Sequence, residues 1–186
     1  MPTPEQVIAV FADRVWGWQI DIADRVMKSE RHAGFAVLSI VASYFEMMGK
    51  HVAGFEGVGQ SQRHFLDGFS AVFSEVPPEV AERIGKRLYL GVRNGMYHDA
   101  ITAAGIALSG DTGDRVIYET AGVDGIVEVV VNPGKLVARI AVHFSEYVAR
   151  LLGEPESELR AAFLRRVRWV DGNPAPESAP DADMGA

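Results

Sequence analysis

The stretch His32-Ala33-Gly34-Phe35-Ala36-Val37-Leu38-Ser39-Ile40-Val41-Ala42-Ser43-Tyr44-Phe45-Glu46-Met47-Met48-Gly49-Lys50 decides the fold class. Its apolar residues recur in helical steps and fall on nearly every side of the helix they imply. A helix with so little polar surface buries most of its circumference, so it belongs at the centre of a helical bundle. The apolar run from Ala33 to Met48 is interrupted by Ser39, Ser43 and Glu46 and is too short to span a bilayer. Glu46 stands among apolar neighbours. Two readings of it are open: a partly exposed glutamate toward the helix end, or a carboxylate retained inside the bundle to pair with a cation or orient a histidine.

Helix signals continue on both sides. Thr3-Pro4-Glu5-Gln6 has the form of a capping box with proline at the first helical position. Val7, Phe11, Val15, Trp18, Ile22 and Val26 then recur at three- and four-residue steps and predict one long amphipathic helix. Trp16 and Trp18 are expected in the core or an interface. The glycine-rich segment from His51 to Gln60 reads as a loop. A third helix, about 61–74, carries Phe65, Phe69 and Phe73, and Pro77-Pro78 starts a fourth that runs to about Gly91.

The period then changes to two. Ile106-Ala107-Leu108, Arg115 to Glu119 and Ile126 to Val131 predict three short strands, with turns at Gly110-Asp111-Thr112-Gly113 and Asp124-Gly125. The expectation is a small antiparallel β-meander inserted at about 105–131. Asn132-Pro133 restarts helix, and Leu136, Ile140, Phe144, Tyr147 and Leu151 form its apolar stripe. A C-terminal helix, about 155–170, bears Arg160, Arg165, Arg166 and Arg168, expected to form a solvated face. The fold class is mainly α, with residues 1–170 as one domain and 171–186 as a disordered acidic tail.

Composition narrows the function. The chain of 186 residues carries a net charge of −7 and no cysteine, which excludes disulfides, thiolate metal sites and cysteine nucleophiles. Four acidic residues and no basic one lie in the tail, so the body carries −3. A nucleic-acid-coating protein is disfavoured, but a locally positive cleft is compatible with this balance. His32, His51, His64 and His143 lack metal-ligand spacing and are expected at the surface or in the core. No metal or cofactor is expected. The N-terminus lacks the pattern of a signal peptide, so the expected location is cytoplasmic, without membrane attachment.

One run concentrates chemistry: Arg93-Asn94-Gly95-Met96-Tyr97-His98. An arginine holds phosphate through a forked, charge-assisted hydrogen bond, and a histidine moves protons near neutral pH. On an α-helix, however, residues five apart are separated by about 140° and do not meet. Gly91 and Gly95 weaken helix, so the arginine could sit on a break; alternatively two copies face each other across a twofold axis. The structural alternative is Arg93 as a helix cap or partner of Glu46, with His98 in the core.

Arg93-Asn94-x-x-x-His98 resembles the R-x4-6-H signature of the HEPN superfamily, in which a polar residue often follows the arginine. The apolar second helix with its glutamate, and the motif late in a helical chain, are similar to bacterial and plasmid-borne HEPN-like proteins over roughly residues 1–155. The strand insert and the Arg-rich last helix depart from the pattern. The resemblance implies a HEPN-like helical bundle that forms a homodimer with the two motifs facing, and metal-independent cleavage of RNA by attack of a 2′-hydroxyl on the adjacent phosphate. It casts His98 as general acid/base, Arg93 as stabiliser of charge on phosphate, Asn94 as orienting residue and Glu46 as supporting carboxylate. Tyr97, Arg165 and Arg166 are candidate RNA contacts. A toxin or defence component, paired with an antitoxin or another protein partner, fits that class. A non-catalytic HEPN-like module that binds a partner or RNA is the alternative.

Overall fold

The computed structural model describes residues 2–55, 59–94, 105–121 and 127–170, with residues 93, 94, 169 and 170 described by backbone alone. Within them the chain is mainly helical with one small sheet. Helix α1 (Pro4–Val15) starts at the expected capping box: Gln6 N donates to Thr3 Oγ1 at 3.3 Å and Thr3 N donates to Gln6 Oε1 at 2.9 Å. At Trp16–Ile20 the helix widens into a π turn, then resumes as α2 (Asp21–Ser29). A π turn inserts one residue into the winding. The buried stripe therefore passes from Val15 to Ile20 in a step of five and on to Ala23. This corrects the expected stripe: Trp18 is rotated outward and is 72% exposed, with the Arg14 guanidinium 5.9 Å from its ring.

Helix α3 (Gly34–Ala53) is central, as its composition requires. It packs against α2, against α4 (Ser61–Val72), against both π turns and against the last two helices, α6 (Pro133–Gly153) and α7 (Glu158–Val170). It runs beyond Lys50, so His51 to Ala53, expected in a loop, are helical. Gly54 ends it with φ of 77°, a left-handed cap that glycine adopts without strain. Helix α4 crosses α3 on glycine. A Cβ on Gly49 would lie 1.9 Å from the His64 carbonyl oxygen, and one on Gly68 would lie 1.9 Å from that of Phe45. The expected phenylalanines of α4 close the core there: Phe65 and Phe69 stand 5.2 and 5.3 Å from Phe45. Helix α5 (Pro78–Leu88) follows and passes into a second π turn, Tyr89–Asn94, in which Val92 is buried.

The sheet is mixed, which corrects the expected antiparallel meander. Its order is β1 (Ile106–Leu108), β3 (Val127–Val131), β2 (Ile117–Ala121), with β1 parallel and β2 antiparallel to β3. The physical reason lies in β3. It is the most valine-rich strand, and Val129 and Val131 are fully buried, so it gains most from neighbours on both edges. Leu108 and Ile117 both pair with Val131, so the chain between them rounds the end of β3. Asn132 holds that turn. Its Nδ2 donates to the Gly110 carbonyl at 3.0 Å and to Thr112 Oγ1 at 3.2 Å, while its Oδ1 accepts from Lys135 N at 3.0 Å and caps α6. Arg83 of α5 binds both carboxylate oxygens of Glu119, at 2.8 and 2.6 Å, and fixes the sheet to the bundle. No helix among the described residues is long and apolar enough to cross a membrane.

Candidate functional site

Of the residues singled out by sequence, Tyr97 and His98 lie outside the described residues, and Arg93 and Asn94 are described by backbone alone. What the backbone gives is specific. Arg93 and Asn94 close the π turn Tyr89–Asn94, so the helix departs from α winding at the arginine, where Gly91 and Gly95 weaken it. In π winding each N–H bonds to the carbonyl five residues back, which sets residues five apart one turn above each other. The turn ends at Asn94, so the winding that relates Arg93 to His98 lies outside the described residues. The turn packs against α3, the helix that carries Glu46.

Glu46 is not at the helix end. It sits seven residues before Ala53, with its side chain 12% exposed, and forms an ion pair of 2.8 Å with Lys50 one turn on, itself 17% exposed. Ion pairs at this spacing are favoured on a helix surface. Both side chains line a cavity of about 270 Å³ with Ser43, Met47, His51 and Arg166. Arg166 comes from α7 and is only 9% exposed. Gly54 allows that approach, because a Cβ there would lie 2.9 Å from Ala162 Cα. On the other side, Gln19 in the first π turn donates to Ser43 Oγ at 2.8 Å and to the Ile40 carbonyl at 2.9 Å. Both π turns thus bear on α3, and π insertions recur at functional sites because they displace side chains from regular helical positions.

His51 forms the inner wall. Its ring stacks on Phe163 at 5.4 Å and stands 4.5 Å from Phe11. Burial, with the Arg166 charge nearby, pushes its pKa down to about 3, so it is neutral at physiological pH. Its Nδ1 is buried without a hydrogen-bond partner among the described residues. His64, against α3, is likewise buried with both ring nitrogens unpartnered there; burial, then the Lys50 charge, lower its pKa. The Tyr44 hydroxyl and His143 Nδ1 share a part-buried hydrogen bond of 2.8 Å. The described residues contain no group of three or more His, Cys, Asp or Glu arranged to hold a metal.

The arginines of α7 do not form one solvated face, contrary to expectation. Arg160 is buried, paired with Glu5 and donating to the Leu151 carbonyl at 3.3 Å, where it ties α7 to α1 and α6. Arg165 pairs with Glu158 at 2.6 Å on the surface, away from the cavity lining. Arg166 alone of the three lines the cavity with Glu46. Lys50, His51 and Ser43 were not singled out by sequence. The four-residue spacing of Glu46 and Lys50 was a legible signal for the first, whereas His51 was hidden by its assignment to a loop.

Comparison of the chain with protein-family models, with curated proteins and with solved structures finds no match.

Proposed function

We propose that this protein is a HEPN-like, metal-independent endoribonuclease whose composite site forms at a homodimer interface. The observation that carries this reading is that the π turn bearing Arg93 packs on α3, the helix that also bears Glu46. The reading assigns Arg93 to the phosphate, His98 to proton transfer and Asn94 to orientation, as the resemblance implies. Deprotonated by His98, the 2′-oxygen attacks phosphorus; the 5′-oxygen of the next nucleotide leaves with a proton, and a 2′,3′-cyclic phosphate remains. Arg93 stabilises the charge that grows on the nonbridging oxygens. The test is cleavage of varied RNAs by the pure dimer in chelator. Activity is expected, and His98→Ala or Arg93→Ala should abolish it while the fold persists. Intact RNA with a confirmed dimer would remove the basis for the enzyme.

A second reading, the non-catalytic interaction module, rests on a different surface. Val10 is exposed on α1 in a largely apolar groove of about 670 Å³ lined also by Val7, Phe11, Arg14 and Val167, and Trp18, exposed in the π turn that follows α1, stands against Arg14. Exposed apolar patches of this kind mark contacts with other proteins. Partner capture without nuclease activity, lost on Trp18→Ser, would favour it.

A further inference from the structure

Along α1 and the first π turn, Gln6, Val10, Arg14 and Trp18 recur at four-residue steps, the spacing of a ridge on a helix surface. All four are exposed, Val10 at 52% and Trp18 at 72%. From Gln6 to Trp18 the ridge is about 18 Å long at roughly 1.5 Å per residue, the length of about three helical turns. Gln6, Val10 and Arg14 also line the groove of about 670 Å³, together with Val7 and Phe11 of α1, His51 of α3 and Val167 of α7. The groove walls are helices, whose backbone groups bond within the helix, so an extended chain finds no strand edge to pair with. Recognition here runs through side chains, as when an amphipathic helix lies in a groove.

Arg14 gives this surface a sign. His51 is neutral, so Arg14 is the one charged side chain in the lining among the described residues. Arg63, Arg83, Arg139, Arg150 and Arg165 each pair with a carboxylate of the chain itself. Among the described residues Arg14 has no such partner, and its guanidinium lies over the Trp18 ring at 5.9 Å. Tryptophan and arginine are the residue types that most often anchor protein interfaces. An exposed cation beside an apolar groove calls for a partner that is apolar on one face and carries an anion at its margin.

We infer that this face of α1 is the docking site for an acidic amphipathic helix of another protein. Apolar residues of that helix, at three- and four-residue steps, fill the groove between α1 and α7, and an aspartate or glutamate at their margin pairs with Arg14. The inference rests on the groove of the interaction reading and names its occupant; it holds whether or not the chain cleaves RNA. It also gives the π insertion a use, since the inserted residue sets Trp18 on the ridge beside Arg14 and not in the core.

The test selects binders of the full chain from a displayed library of helical peptides, randomised on one face to apolar, acidic and basic residues. The selected peptides are expected to carry an apolar stripe flanked by Asp or Glu. One of them is then titrated against variants at exposed positions. Val10→Asp, Trp18→Ser and Arg14→Glu should each weaken binding about tenfold or more. Exchanging the acidic residue of the peptide for Lys should restore binding to Arg14→Glu. Val142→Asp, on the exposed side of α6, is the control and should leave the affinity unchanged. Basic or uncharged binders that depend on Val10 overturn the inference and keep the interaction reading. Acidic helical binders of a chain that also cleaves RNA keep the inference and sink the non-catalytic reading. A selection that yields no peptide sensitive to Val10→Asp or Arg14→Glu overturns the inference. A dimer that Arg14→Glu dissociates gives the face to a second copy, and peptide binding gained only on deletion of residues 171–186 gives it to the chain itself; either outcome also overturns it.

Discussion

The ring of His51 lies stacked on Phe163, 5.4 Å between centroids and 29° between planes, and Phe11 stands 4.5 Å from His51 and 5.1 Å from Phe163, so the three rings form one cluster. A buried cluster of aromatic rings offers a neutral imidazole a good home and an imidazolium a poor one, particularly with the Arg166 charge nearby. The unfolded ring takes up its proton near 6.5 and the folded ring only near 3. Stability present above pH 6.5 is therefore lost as the pH falls toward 3, at up to about 1.4 kcal/mol per unit. His64 and His143 are shifted in the same direction, so the wild-type curve sums several groups. The contribution of His51 is isolated by His51→Leu. Relative to wild type, that variant should gain about 2–3 kcal/mol between pH 7 and pH 4.5 in urea titrations. Parallel curves for the two proteins would refute the assignment.

The crossing of α3 and α4 makes a sharper demand on sequence. At Gly49 and at Gly68 the first atom of any side chain would meet a carbonyl oxygen of the opposing helix at 1.9 Å. Neither contact can be relieved by a rotamer change, because both partners are backbone. Gly49→Ala and Gly68→Ala should each cost about 3 kcal/mol or more, at or beyond the upper range for overpacking. Gly17, with open space around its Cβ direction, is the internal control. Gly17→Ala should be neutral or slightly stabilising on helix propensity. A mild effect at Gly49 and Gly68 in chemical denaturation would mean that the helices do not approach this closely.

Asn132 joins two levels of structure. Its oxygen caps α6, and its nitrogen fastens the turn that carries the chain from β1 around β3. Asn132→Ala should lose the cap, about 1 kcal/mol, and the two buried donor contacts, about 1 kcal/mol each. Asn132→Asp keeps the cap acceptor but sets a carboxylate against the Gly110 carbonyl, so it should not rescue the loss. Equal stability of Asn132→Asp and wild type by thermal melts would contradict the hydrogen-bond assignment.

These cases show what could be read from the chain before its structure. Helix α3 was legible because its apolar residues wrap the whole circumference, and α6 because its Asn132-Pro133 start and apolar stripe agree. The strand segments were legible by period, but their order was not. Alternation gives each strand a face and says nothing about which neighbour it pairs with; the burial of Val129 and Val131 decided that. Glu46 was picked out because a carboxylate among apolar residues is costly without a partner. Its cavity was not legible, because Arg166 reaches it across more than a hundred residues of sequence, through a contact that depends on the small Gly54. The π turns were invisible to a search at fixed period, which assumes the winding that they break.

The first π turn offers the most direct check of that last point, since Trp18 and Ile20 exchange roles between the two windings. Under uninterrupted α winding Trp18 continues the stripe of Val7, Phe11 and Val15 and is packed against the bundle. With the inserted residue, Ile20 takes that place at 3% exposed, and Trp18 points to solvent. The two arrangements predict opposite outcomes for one pair of substitutions. Ile20→Ala removes packed methyl and methylene groups and should cost about 2–5 kcal/mol. Trp18→Ser removes a largely exposed ring and should change monomer stability by no more than about 0.5 kcal/mol. Its fluorescence should also be red-shifted and readily quenched by a polar quencher in the folded protein, once Trp16 and Trp169 are replaced by phenylalanine. A loss of about 3–5 kcal/mol from Trp18→Ser, with Ile20→Ala tolerated, would restore the regular helix and exclude the π insertion.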